Sequence, residues 1–523
     1  MKVIAFHVKH DASVAVAQDG VLLAVLELER LFGERYFASS SDLGVFERQW
    51  RGAVEAVIAF TGIDRFDVAV TSWVPPTERG VLKRLVSAAE WRRADHHRCH
   101  ALHGHCDSPF ERSLVLSFDG GGNDGTFRVF TVDAEGANAI ARRPLNLGTA
   151  FRVLATTMPE VTGRRPQPSR GDLALAGKLM AYAALGQTRE EWRPALVEHF
   201  EHFQEPAQAL DALSEATGLE LESDSLDPQD ARDLAATAQS AFVQIVQREL
   251  MAFRGVPHDG LVLTGGCALN VVANEAVRGG WARPVHVPPA PNDAGISVGA
   301  LWTVERPRSA PSVFSGLPLV MDISPRELER RGAVWCDVHE LAGVIASGAV
   351  VGVAHDRAEH GPRALGHRSI LALARDEGVR RRVNEEIKSR EWYRPVAPVV
   401  RVGDVERWFG ARVESPYMSF APRVRGDMAA RAPAARHVDG TARVQTTRPG
   451  EFLHRLLDAM AERGVEPVLV NTSFNVRARP LVHRASEALA ALDETTLDHA
   501  WIEGWLVSRV GAHARASVER GRG

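Results

Sequence analysis

Strand-length apolar runs open the chain. VIAFHV, ASVAVAQ and VLLAVLEL each read as a strand, and the turn dipeptide Asp19-Gly20 separates the last two. The opening therefore reads as a hairpin run. Helical spacing follows in WRGAVEAVIAFTG and VLKRLVSAAEWRR, which predicts two amphipathic helices. At SLVLSFDGGGNDGTFRVFTVD the opening pattern returns as apolar strand, Asp-containing turn, apolar strand. Helices are expected from about Ala174 to Phe253, then a buried strand at GLVLTGG and a helix at CALNVVANEAVRG.

Between Val304 and Pro318 the text turns rich in proline and serine, and the domain linker is placed there, giving domains 1–308 and 319–523. The second domain predicts strands at AVVGVAHD and PVLVNTSF and helices at VRRRVNEEIKSRE and EFLHRLLDAMAERG. GRRPQPSRGD reads as an exposed loop and the tail after Val510 as a frayed end. A 523-residue chain is too long for one compact core, so two large domains are expected. The two strand–turn–strand units joined by helices predict an internally duplicated α/β domain of the actin, sugar-kinase and Hsp70 type, whose hairpins pinch nucleotide phosphates.

Charge narrows the function. A net charge of −4 leaves no general basic stripe for nucleic acid. Four scattered cysteines without a CxxC pair argue against a disulfide framework and for a reducing compartment. The N-terminus reads as a strand, not a signal peptide, and no run approaches the roughly 18 apolar residues of a membrane span. A cytoplasmic enzyme is expected.

The strongest candidate chemistry is ADHHRCH. With Asp95 as helix cap, His96 and His100 project from one helical face and can grip one metal ion. Asp119, at the end of an apolar strand, and Asp293, in the PNDAG turn, complete a mixed N/O set suited to Fe(II), Mn(II) or Zn(II). The plainer alternative is a solvated helix start with turn-forming aspartates. His97, His103 and His105 are expected to be exposed and not ligating, and the spacing of Cys99 and Cys106 fits no usual zinc knuckle. The run Gly120 to Thr126 and the pair Gly265-Gly266 allow close backbone approach to phosphate. His10, in the first turn, is a candidate general base. Further on, Arg363, Arg368, Lys388, Arg390, Arg394 and Arg443, with Ser473 and Asn475, suit phosphoryl ligands, although Lys388 to Arg394 also reads as a charged helix face.

HDASVAV, HHRCHA, FDGGGNDGT, GKLM, GGCALN, PNDAGISVGA, GPRALGHRSI, NEEIKSREWYRPVAP, SPYMSF and VNTSFN occur in this order. Over nearly the whole chain the set resembles the NodU/CmcH-type O-carbamoyltransferases that decorate antibiotics and nodulation factors. The resemblance implies an actin-like domain similar to the tRNA threonylcarbamoyl-transfer protein, followed by a YrdC-like domain. The latter would join carbamoyl phosphate and ATP, with Mg2+, into carbamoyl-adenylate, releasing phosphate and pyrophosphate. The former would move the carbamoyl group to an acceptor hydroxyl and release AMP. A closed internal channel would protect the adenylate from water.

By the same resemblance His96, His100, Asp119 and Asp293 would ligate iron as Fe(II), and His10 would deprotonate the acceptor. Gly121, Gly122, Gly265, Gly266 and Asn270 would hold nucleotide. Arg363, Lys388, Arg394, Arg443, Ser473 and Asn475 would bind carbamoyl phosphate and ATP. Three places depart from the family pattern: His367 where asparagine is more usual, VRARPLV after Asn475, and RYFASSSDLG, which points to an altered acceptor pocket. The partner expected is a small-molecule hydroxyl compound, with no nucleic acid, and a homodimer is compatible. A tRNA-modifying threonylcarbamoyl transferase would want a basic stripe that this chain lacks. A nucleotide-gated interaction protein would need neither His96, His100 nor the C-terminal half.

Overall fold

A computed structural model describes residues 1–163, 173–203, 205–221, 226–476 and 478–509. Most of GRRPQPSRGD and the tail after Val510 lie outside these residues. The chain forms two compact units, one of residues 1–315 with 360–362 and one of 316–359 with 363–523. The crossing from Ser315 to Gly316 falls inside the Pro/Ser-rich stretch.

In the first unit, β1 (Lys2–His7), β2 (Ser13–Gln18), β3 (Val21–Glu27), β4 (Arg65–Ser72) and β5 (Ser87–Ala94) make a sheet of order β3-β2-β1-β4-β5. Its first three strands are antiparallel, and β4 and β5 add in parallel. A second sheet repeats that plan. β6 (Ser113–Phe118), β7 (Phe127–Val132), β8 (Ala137–Arg143), β9 (Gly260–Thr264) and β10 (Val285–His286) run in the order β8-β7-β6-β9-β10, with the same antiparallel and parallel pairings. Even the register shift recurs, at Val16/Ala17 between β2 and β3 and at Val129/Phe130 between β7 and β8. The duplicated pattern in the sequence is thus a duplicated sheet.

Helices α1 (Leu43–Thr61), α2 (Pro76–Leu85), α3 (His96–Asp107), α4 (Pro228–Met251), α5 (Val271–Gly280) and α6 (Ile296–Leu301) belong to this unit. Three further helices, Leu173–Tyr182, Arg193–Glu201 and Pro206–Thr217, fill the region expected to be helical. One apolar cluster joins Val3, Ala5, Val68 and Val70 of the first sheet to Val115, Phe130 and Val262 of the second, through Cys99 and Leu102 of α3 and Ile296, Val298 and Leu301 of α6. Gly299 makes the helix crossing possible, since a Cβ there would lie 1.9 Å from the Cys99 carbonyl oxygen.

One element departs from expectation. The spacing of VLKRLVSAAEWRR predicts a single helix, but α2 stops at Leu85 and Ser87–Ala94 is the edge strand β5. Pairing with β4 overrides a weak local preference. The charged, mostly solvated side chains of β5 suit an edge.

The second unit holds an eight-stranded sheet. It uses β11 (Val334–Trp335), β12 (Val351–Ala354), β13 (Arg368–Leu373), β14 (Ala397–Arg401), β15 (Gln445–Thr447), β16 (Leu469–Ser473), β17 (His499–Ile502) and β18 (Trp505–Ser508), in the order β11-β18-β17-β12-β13-β16-β14-β15. Helices α7 (Val338–Ala346) and α8 (Phe452–Glu462) pack Leu341, Ile345, Leu453 and Leu457 against Val351, Val353, Leu371 and Leu469. The helix expected over VRRRVNEEIKSRE is shorter than its pattern: Glu377–Arg381 is α-helical, Arg382–Ile387 widens to a π-helix, and Ser389 is left-handed with φ of 48°. Lys388 to Arg394 is therefore a loop and not a charged helix face. Among the described residues no helix is long and apolar enough to cross a membrane.

Candidate metal centre and anion-binding cluster

The glycine loop after β6 anchors the histidine helix. Asn123 Oδ1 accepts the His96 N–H at 2.9 Å and Asp124 Oδ1 the His97 N–H at 3.1 Å, so α3 is capped from 27 residues downstream. Asp95, the expected cap, makes no cap bond; its carboxylate accepts from Asn123 Nδ2 at 2.8 Å. The loop therefore fixes the orientation of the helix that carries the imidazoles.

His96, His100, Asp119 and Asp293 converge, each offering one donor atom, with all four atoms within 4.8 Å of one another. His96 Nε2 is 3.2 Å from His100 Nε2, and each is 3.5 Å from Asp293 Oδ1. His100 Nε2 lies 3.4 Å from Asp119 Oδ2. All four side chains are buried. Among the described residues neither carboxylate pairs with a lysine or arginine; their ion partners are His7, His10, His96 and His100. Asp293 Oδ1 has no hydrogen-bond donor. Two buried carboxylates whose only cationic neighbours are imidazoles, Asp119 also accepting the Gly120 and Gly266 N–H groups and Asp293 keeping one oxygen orphaned, fit a divalent cation.

Electrostatics agrees. Burial pushes the His96 imidazole down to about 3 against the pull of Asp293. At His100 burial is outweighed by the adjoining Asp119 and Asp293 carboxylates, which hold it up at about 9. Burial disfavours charge on Asp293 too, yet the surrounding imidazoles keep it well below the usual carboxylate range.

Three glycines make the convergence possible. Gly265 has φ of 92°, and a Cβ there would sit 2.1 Å from the Phe118 carbonyl oxygen. Its N–H donates to Pro291 O at 2.7 Å, which ties the end of β9 to the turn carrying Asp293. A Cβ on Gly122 would lie 2.9 Å from the His96 ring, and one on Gly266 would lie 3.3 Å from the Asp119 carboxylate. Gly121 has open space around its Cβ position. Asn270 is buried with its amide engaged: Oδ1 accepts the Ala273 N–H at 3.0 Å, capping α5, and the group pairs with Gln239.

His10 stands at the rim. Its Nε2 is 3.6 Å from Asp293 Oδ2, and its Nδ1 is 3.2 Å from Asp11 Oδ2. Burial opposes its charge, but Asp293 and Asp11 hold it up at about 10. His7, passed over in the sequence, is wholly buried with Nε2 3.2 Å from Asp293 Oδ2. It sits in the apolar rhythm of β1, so period alone reads it as core.

His97 and His103 are buried, contrary to the expectation of exposure. His97 braces the loop through Ser117 Oγ at 2.7 Å and Gly125 O at 2.9 Å. Neither histidine joins the cluster, and neither does Cys99 or Cys106.

In the second unit Lys388 gathers the strand end at β16. Its Nζ donates to Ser473 O at 2.6 Å, Ser473 Oγ at 2.9 Å, Asn475 O at 3.1 Å and Asn475 Oδ1. Arg443 is half-buried, with its Nε out of solvent and unpartnered, and desolvation together with the positive charges of Arg363, Arg394 and Arg390 pushes it well below the usual guanidinium range. Such mutual repulsion is relieved by a polyanion. Asn384, not singled out in the sequence, shapes this loop: Oδ1 accepts from Arg390 Nε at 2.8 Å, and Nδ2 donates to Trp392 O at 3.3 Å and Arg394 O at 2.8 Å. The π-helix places it there, a common device at functional sites. Arg368 is different. Its buried guanidinium donates to His355 O, to His367 O at 3.0 Å and to Asp356 O at 2.8 Å, which is the bonding of a structural arginine.

Comparison with known proteins is consistent across both units. A family model described as carbamoyltransferase N-terminus matches residues 33–302, and one described as carbamoyltransferase C-terminus matches 342–509. Nodulation protein U of Rhizobium tropici is 29% identical, covering 97% of this chain and 96% of its own length. The 3'-hydroxymethylcephem-O-carbamoyltransferase of Streptomyces clavuligerus is 32% identical, covering 93% of this chain and 95% of its own. Among solved structures, full-length HypF in its phosphate- and nucleotide-bound form aligns at 14% identity over 60% of this chain and 47% of that one. Its TM-score of 0.35 is too low to support a structural statement.

Proposed function

The chain belongs to the carbamoyltransferase family, and from that premise we propose that this enzyme works in two half-reactions, one in each compact unit. The observation that carries the reading is the separation of two unlike sites: a buried imidazole–carboxylate cluster in the first unit and an arginine–lysine cluster in the second. The repeated strand order of the first unit supports an actin-like domain, and the second is read as YrdC-like.

In the second unit, Arg363, Arg394, Arg443 and Lys388 hold carbamoyl phosphate and the ATP phosphates, with Ser473 and Asn475 orienting Lys388. With water, the two substrates give carbamoyl-adenylate, phosphate and pyrophosphate. In the first unit the glycine loops cradle the adenylate, and Asn270 stiffens the helix start beside them. His96, His100, Asp119 and Asp293 would hold a divalent ion, Fe(II) by family resemblance. Such an ion supplies Lewis-acid polarisation of carbamoyl or phosphate oxygens.

His10 moves the proton. Asp293 is the main charge that holds this imidazole protonated; with that carboxylate engaged by a divalent ion and Nδ1 directed at Asp11, Nε2 would be free to take the acceptor hydroxyl's proton. The alcohol oxygen then bonds to the carbamoyl carbon, and the bond from that carbon to the AMP oxygen breaks. The acceptor is a small-molecule hydroxyl compound, in keeping with relatives whose names include a hydroxymethylcephem carbamoyltransferase. Purified protein given ATP, carbamoyl phosphate and Mg2+ without acceptor is expected to release pyrophosphate and form carbamoyl-adenylate. Release of ADP alone would point to a kinase and overturn the reading.

A further inference from the structure

Asp293 Oδ1 lies 3.5 Å from both His96 and His100, yet no sheet or helix holds the chain that leads to it. β10 ends at His286, and 287–292 lies outside the strands and helices. A ligand on such a segment keeps its place only if the backbone is held by its neighbours.

Two groups back onto this turn. One is His103 of α3: a Cβ on Gly295 would lie 2.6 Å from the His103 ring and 2.2 Å from Ala290 O, so the turn closes on itself against that imidazole. The other is Gly361. Residues 360–362 belong to the first unit although the chain on either side of them belongs to the second. Gly361 has φ of 101°, and a Cβ there would lie 2.5 Å from Pro289 O and 3.1 Å from Ala290 Cβ, so its bare backbone rests on the turn. His360 enters with it. Its N–H donates to Val313 O at 2.9 Å, and its ring centroid is 5.9 Å from that of His103.

A buried peptide that comes in alone has no strand to pair with, so side chains must meet its polar groups. Glu27, the last residue of β3, and Arg30, in the short helix Leu28–Phe32, meet both. Glu27 Oε1 accepts the Gly361 N–H at 2.6 Å, and Arg30 Nη2 donates to Gly361 O at 3.0 Å. The same Nη2 donates to both Glu27 carboxylate oxygens at 3.1 Å. Each side chain is only 5% exposed. Apolar packing would serve stability as well as a buried ion pair does. It could not bond the N–H and the C=O of one peptide at once.

We propose that Glu27 and Arg30 are positioning residues for carbamoyl transfer: they clamp the Gly361 peptide behind Pro289 and Ala290, and that backstop sets where the Asp293 carboxylate sits. The inference rests on the reading above in which Asp293 helps to hold a divalent ion, and it adds residues that touch neither ion nor substrate.

The test titrates Mn(II) anaerobically into the metal-stripped, full-length protein, reading affinity by calorimetry and bound ion by electron paramagnetic resonance. Pyrophosphate release without acceptor is measured beside it. Glu27→Leu combined with Arg30→Met removes both charges and leaves neither buried alone, so Tm should stay within about 5 °C of the parent. Mn(II) should nevertheless bind roughly tenfold more weakly, with pyrophosphate release changed less than about twofold. Gly361→Ala presses a methyl onto Pro289 O and should weaken Mn(II) binding by about tenfold or more. Its control is Gly348→Ala, where φ is 99° and nothing lies within 4 Å of the new methyl; it carries the same backbone strain and should bind as the parent does. Unchanged affinity in the double variant or in Gly361→Ala, equal weakening in Gly348→Ala, or pyrophosphate release falling in step with affinity overturns the clamp. Should one of the two clamp variants fail to fold, the other decides. A parent protein that takes up no Mn(II) overturns the metal reading itself, and the clamp with it.

Discussion

Gly122→Ala tests whether the glycine loop shapes the metal centre without being part of it. The added methyl would sit 2.9 Å from His96 Cδ2, about 0.5 Å inside the 3.4 Å at which ordinary contact begins. It cannot retreat, because the Gly125 carbonyl oxygen stands 3.0 Å away as part of the backbone. The imidazole must therefore turn or shift. Metal–ligand distances tolerate about 0.2 Å, so a shift of that size takes His96 out of reach. Disturbing a neighbour that orients a metal ligand costs about tenfold to hundredfold in affinity, roughly 1.4 to 2.8 kcal/mol. The control is Gly121→Ala, one residue away, where nothing lies within 4 Å of the new methyl. Anaerobic titration of Fe(II) or Mn(II) into metal-stripped protein, read by calorimetry, gives both affinities, and circular dichroism checks that both variants are folded. Gly122→Ala should bind at least tenfold more weakly than the parent and Gly121→Ala within about twofold. Equal affinities for the two variants would refute the reasoning, because their methyl groups differ only in what they meet.

Other outcomes follow from the same geometry. His96→Ala should abolish carbamoyl transfer while pyrophosphate release in the absence of acceptor persists; equal loss of both would count against the assignment of the two chemistries to separate units. Lys388→Met leaves Ser473 and Asn475 without the ammonium that draws them together, so pyrophosphate release should fall by about 1.5 to 3 kcal/mol of transition-state stabilisation, read as kcat/KM for carbamoyl phosphate. Gly299→Ala drives a methyl into the Cys99 carbonyl, and thermal unfolding should show a loss of at least about 1–3 kcal/mol, with weaker metal binding as α3 moves.

Much of this protein is local, and local features are legible in a sequence. β1, β2 and β6 are short, nearly continuous apolar runs buried on both faces and closed by Asp- or Gly-containing turns, so the duplicated hairpins could be read directly. His96 and His100 share a face for an equally local reason, the pitch of a helix. The Pro/Ser-rich crossing between the units is a matter of composition.

Only tertiary structure decided the rest, because it depends on partners far apart in the chain. Asp119 and Asp293 meet because β6 and β9 pair in parallel and Gly265 lets both strand ends approach the Asp293 turn. Asn123 and Asp124 displaced Asp95 as caps once the loop folded over α3. Ser87–Ala94 became a strand because β4 offered an open edge, a stronger inducement than its own helical spacing. His7 carries no periodic signal at all and passes for core. What sets it apart is burial beside the Asp293 carboxylate, and a side chain acquires surroundings of that kind only when distant strands are brought into register.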